Sequence, residues 1–100
     1  MTHAITIQAR RFVDREGRIV ESAAALADEV VRQLAIHDII AVDLLEMRGL
    51  SSSYFNVLLQ RISAVTTLPE FSRRVRILFD SPAQEQVFKR SLDFASRTVA

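Results

Sequence analysis

Cysteine is absent from this sequence. That rules out a disulfide framework, a thiolate zinc site and a thiol nucleophile, and it is in keeping with a reducing compartment. Glycine and proline are scarce, two of each, so a disordered or fibrous chain is excluded. With only Gly17 and Gly49 available, no glycine-rich phosphate loop can be built. An excess of one charge is lacking too: thirteen basic residues stand against twelve acidic ones, a net charge of +1. Such a chain has no overall field to hold nucleic acid or an anionic membrane. The longest apolar run, Ile39 to Leu45, is interrupted by Asp43 and is far too short to cross a bilayer. Met1-Thr2-His3-Ala4-Ile5 lacks the basic segment and apolar stretch of a secretory leader. A cytoplasmic location without membrane insertion is expected.

What is present is apolar: 49% of the 100 residues. That is enough for one domain with one core over residues 1–100. Ile5 and Ile7 alternate with Thr6 and Gln8, which predicts a strand. Phe12-Val13, Glu16-Gly17 and Ile19-Val20 suggest a hairpin over 10–20, with Gly17 at the turn. Ser22 to His37 reads as a helix capped by Ser22, with Ala23, Leu26, Ala27, Val30 and Leu34 inward and an Asp28–Arg32 pair outward. Ile39 to Leu44 is apolar on both sides and predicts a central strand covered by helices. Ser51 to Val65 is a second helix on the stripe Phe55, Leu58, Leu59, Ile62 and Val65, closed by Thr66-Thr67-Leu68-Pro69. Arg74 to Phe79 is a third strand. Ser81-Pro82 starts a last helix, with Val87, Phe88, Ser91, Leu92 and Ala95 on its inner side. Strand–helix–strand repeats with short connections predict a small layered α/β domain of about four mostly parallel strands and three helices.

No catalytic constellation emerges. His3 and His37 are far apart and lack carboxylates at ligand spacing, so no metal site is expected. Asp43, Glu46 and Asp80 lie at predicted strand ends, where ligands gather in open α/β sheets. The simpler reading is that Asp43 tethers its own loop and Asp80 caps a turn. Arg73, Arg74 and Arg76 form one basic cluster, and Arg10, Arg11, Arg15 and Arg18 another; both read as solvated edges. Tyr54 at a helix start suits either an exposed anchor for a partner or a ring packed against its own sheet.

The most informative stretch runs from Ile40 to Leu59: a buried strand ending in Asp43, a short loop, three serines and an amphipathic helix. Hydroxyls at a helix N-terminus sit at the positive end of its dipole, beside unpaired N–H groups that suit a phosphate. From spacing alone, the serines are N-caps. The segment resembles the STAS domain (sulphate transporter and anti-sigma-factor antagonist), and most closely its uncharacterised bacterial STAS-like branch. Val42-Asp43-Leu44 matches the family's strand end and Leu50 the apolar loop position. Ser51-Ser52-Ser53 falls on Asp-Ser-Ser, and Gly17-Arg18-Ile19-Val20 with Ala23-Ala24-Ala25-Leu26 is similar to the stretch entering the first helix. The chain departs from the pattern at Ser51, where the family has Asp, and at Tyr54-Phe55, where it has Gly-Leu.

The resemblance implies a STAS-like fold and a non-enzymatic, cofactor-free regulatory module. It implies an ATP-dependent serine kinase that doubles as an anti-sigma factor, or another ATPase, as partner. It also implies Ser52 as phosphoacceptor, and a contact surface from Arg48 to Gln60 that includes Asp43, Arg48, Ser51, Ser53, Tyr54, Asn56, Val57 and Gln60. Two other readings stand beside it. One is a small-ligand or nucleotide-binding domain using Asp43, Arg48 and the serine helix start as an anion pocket. The other is a self-associating or structural subunit with Tyr54, Val57 and Ile36 at the interface.

Overall fold

A computed structural model describes residues 3–98. Along the chain it places β1 (Ala4–Gln8), a 3₁₀ turn (Ala9–Phe12), α1 (Ile19–Leu34), β2 (Ile39–Asp43), α2 (Ser52–Ser63), α3 (Leu68–Arg74), β3 (Val75–Leu78) and α4 (Pro82–Thr98). The three strands form one parallel sheet in the order β1-β2-β3. Ile5 pairs with Ile40, which pairs with Val75; Ile7 pairs with Val42, which pairs with Ile77. These six side chains share one face of the pleat, since side chains alternate along a strand. The helices cover that face: α1 packs on α2, and α2 on α4.

The core is one continuous cluster. Ile40, Leu26, Phe55, Leu59 and Ile62 are wholly removed from solvent. Burial of each such side chain contributes about 1.5–3 kcal/mol. Phe55 meets Phe88 edge-on at 5.4 Å, which ties α2 to α4. The other face of the sheet is less covered. Thr6, Ala41 and Arg76 form one row across it, and Thr6 and Arg76 are exposed. β2 is therefore central as expected, but helices cover it on one face only.

The small α/β domain agrees with the sequence reading; its element count does not. Among the described residues, three strands and four helices replace four and three. The expected hairpin over 10–20 is instead a 3₁₀ turn and a loop leading into α1. Asp14 organises that loop, accepting from the main-chain N–H of Glu16 at 3.0 Å and from Arg18 Nε at 2.9 Å. Gly17 does adopt positive φ, at 69°, but its turn leads into a helix. Ser22 is not a cap. It lies one turn inside α1, donates to the Arg18 carbonyl at 2.7 Å and accepts from Asp14 N–H at 2.8 Å. Asp28 pairs not with Arg32 but with Arg61 of α2, at 3.6 Å, while Arg32 takes Glu29.

The additional helix is α3. Pro69 stands in its first turn, where a missing N–H costs nothing, and the Thr67 hydroxyl accepts from Glu70 N–H at 3.2 Å. Thr66 to Pro69 thus starts a helix as well as closing one. Arg74, at the end of α3, donates to the carbonyls of Leu34 and His37 at 2.7 Å each and of Asp38 at 3.0 Å. This guanidinium satisfies the carbonyls that the end of α1 leaves open. Among the described residues no helix is long and apolar enough to cross a membrane.

Candidate functional site: the loop before the second helix

The strands run parallel, so the loops that follow them gather at one edge of the sheet. Residues 44–51, between β2 and α2, lie at the centre of that edge. Asp43 folds the start of this loop by accepting from Leu45 N–H at 2.8 Å, the tethering role read from sequence. Leu44 is buried and its carbonyl accepts from Met47 N–H at 3.1 Å. Glu46 adopts φ of 70°, an unfavourable left-handed conformation for a residue with a β-carbon. Gly49 adopts 71° without that penalty.

The β3–α4 connection holds Glu46 and Met47 in place. Asp80 Oδ1 accepts from Glu46 N–H at 2.9 Å. The Gln84 side-chain amide donates to the Met47 carbonyl at 2.7 Å, and its oxygen accepts from Asp80 N–H at 2.8 Å. Gln84 is itself buried, and its N–H donates to the Ser81 hydroxyl at 3.1 Å, the expected helix cap. Asp80 therefore reaches across to the β2–α2 loop rather than capping its own turn. Sequence reasoning missed Gln84. Its signal was the Ser81-x-x-Gln84 spacing, which is that of a capping box.

On this base Arg48, Gly49 and Leu50 stand as a ridge between two clefts. One, of about 320 Å³, is lined by Arg10, Ile19, Ser22, Glu46, Arg48 and Tyr54 among others. The second, of about 430 Å³, is lined by Arg48, Leu50, Asp80, Ser81, Gln84 and Val87 among others. Arg10 and Glu46 approach to 3.5 Å across the mouth of the first. Both side chains are largely exposed, so their attraction is worth little.

The predicted site residues divide into two groups. Arg48, Ser52, Ser53, Asn56 and Gln60 are exposed, and the four on α2 lie on one outward side by their helical spacing. Val57 is half-buried beside them. Ser51 takes the N-cap backbone conformation, φ −92° and ψ 170°, but its side chain makes no capping bond. Its Oγ is buried and has no partner among the described residues.

Of the two readings of Tyr54, an exposed anchor or a ring packed inside the domain, the structure has the second. It is 2% exposed and packs edge-on against Phe55 at 5.5 Å. Loss of water around the phenol pushes its pKa up to about 12. The reason is angular: Tyr54 and Phe55 share the core-facing side of the first turn with Leu58, leaving Ser52 and Ser53 to solvent. Among the described residues no three His, Cys, Asp or Glu side chains are grouped to hold a metal ion. No family model, curated protein or solved structure matches this chain.

Proposed function

We propose that this chain is a non-enzymatic, protein-binding regulatory module of the anti-sigma-factor-antagonist kind. Its docking surface is the Arg48–Leu50 ridge, continued along the outer side of α2 through Ser52, Ser53, Asn56 and Gln60. One observation carries this reading: the ridge, exposed at Arg48 and Gly49, stands on a loop fixed from beneath by Asp80 and Gln84. A surface held in this way loses little conformational freedom when a partner docks. The partner in this reading is an ATP-dependent serine kinase with anti-sigma-factor activity, or another ATPase, in line with the STAS-like pattern of the segment.

Ser52 is the proposed phosphoacceptor. It is exposed in the first turn of a twelve-residue helix, where a phosphate gains from the helix dipole. The added charge would lower affinity for an acidic partner surface. The test is incubation with ATP and the kinase that co-purifies with the chain, followed by mass spectrometry. Phosphate on the peptide containing Ser51 to Ser53 is expected; its absence, with affinity unchanged in Ser52→Asp, would refute the switch.

The cleft beside Arg10 and Arg48 favours a second reading, a site for a small anionic ligand or nucleotide. A saturable rise in melting temperature with nucleotides, abolished by Arg48→Ala, would select it over the first.

A further inference from the structure

The two edges of the sheet are built differently. β3 is four residues long, carries Arg76 and follows Arg73 and Arg74 at the end of α3. A short, charged edge resists pairing with another chain. β1 is five residues long, Ala4-Ile5-Thr6-Ile7-Gln8, with no charge, no proline and no bulge, and among the described residues it is bonded on one side only.

The ladder fixes which of its main-chain groups are free. Ile39 N–H donates to the His3 carbonyl at 3.0 Å. In a parallel pair alternate residues bond the neighbour, so His3, Ile5 and Ile7 face β2, and the N–H groups of Ala4, Thr6 and Gln8 face outward. The Thr6 carbonyl faces outward with its N–H.

We propose that β1 pairs antiparallel with β1 of a second copy of this chain, about a two-fold axis through Thr6. The sequence is self-complementary in that register. Thr6 meets Thr6 and exchanges two main-chain hydrogen bonds, Ala4 meets Gln8, and Ile5 meets Ile7. No like charges are opposed, and a Thr–Thr cross-strand pair is favourable. Ile5, half-buried in one copy, would pack beside Ile7 of the other and extend the apolar layer beneath the helices. A two-fold interface of this kind closes on itself and produces a dimer, not a fibre.

The test uses the full chain. Sedimentation equilibrium should show a mass rising with concentration toward twice 11.3 kDa. Thr6→Lys, which sets two like charges opposite each other, should return the mass to one chain with an unchanged circular dichroism spectrum. Thr6→Cys introduces the only cysteine. Opposed Cα atoms in such a pair lie roughly 5.5 Å apart, within disulfide reach, so oxidation should cross-link the copies, whereas Ser53→Cys should not. A chain that stays monomeric at millimolar concentration, or a dimer that persists in Thr6→Lys and fails to cross-link at position 6, overturns the proposal.

Discussion

The Gln84 side chain holds the main chain of Met47, donating to its carbonyl at 2.7 Å across 37 positions of sequence. The same amide group accepts from Asp80 N–H, so one buried residue joins the start of α4 to the loop before α2. Gln84→Leu keeps the volume and removes both bonds. The Met47 carbonyl and the Asp80 N–H would then lack a partner, at a cost of about 1–3 kcal/mol. Calorimetry should show a melting temperature lower by about 4–8 °C for each kcal/mol lost. Amide exchange should accelerate first in residues 44–51.

Arg74 supports the opposite edge of the sheet. Its three carbonyl contacts close the end of α1. Arg74→Met should cost about 1.5–3 kcal/mol, the range for hydrogen bonds to charged groups. Arg74→Lys should recover only part of this, because an ammonium lacks the planar fork that reaches several carbonyls together. Urea unfolding midpoints measure both.

Tyr54 gives a signature at high pH. Its phenol is held up to about 12 by burial, above the ordinary value near 10. A group raised on folding contributes stability that is fully present below its unfolded pKa. That contribution is lost as pH climbs from about 10 through about 12. Ultraviolet titration of this single tyrosine should therefore show ionisation delayed until near pH 12. Tyr54→Phe should flatten the fall of stability in the same window.

Asp14 gives the acid counterpart. The Arg18 guanidinium bonded to it is the main cause lowering its carboxyl from 3.8 to about 2. A depressed carboxylate contributes stability above its unfolded pKa and loses it as pH falls through the folded one. The loss belongs between about pH 4 and pH 2, and Asp14→Asn should reduce the slope of stability against pH there.

The strands and the long helices were legible because their cause is local periodicity. Ile5 and Ile7 alternate, and Phe55, Leu58, Leu59 and Ile62 recur at helical spacing. The segments misread depend on bonds between positions distant along the chain, or on choices periodicity does not make. Gly17 provides the same positive φ to a hairpin or to a helix entry, and only the Asp14–Arg18–Ser22 network selects the helix. Pro69 marks the end of one helix and the first turn of the next, and Thr67 decides between them by capping Glu70. In the site, the serines at the start of α2 were visible, whereas the supports from Asp80 and Gln84 lie more than thirty residues away. Tyr54 turned inward because the core takes two adjacent positions of the first turn.

The most direct measurement is the affinity of the co-purifying partner for three forms of this chain: wild type, Ser52→Asp and Ser96→Asp, the last at an exposed site on α4. The expected result is binding at least about tenfold weaker for Ser52→Asp, about 1.4 kcal/mol, with Ser96→Asp matching wild type. Equal affinity for all three forms would contradict docking at the start of α2.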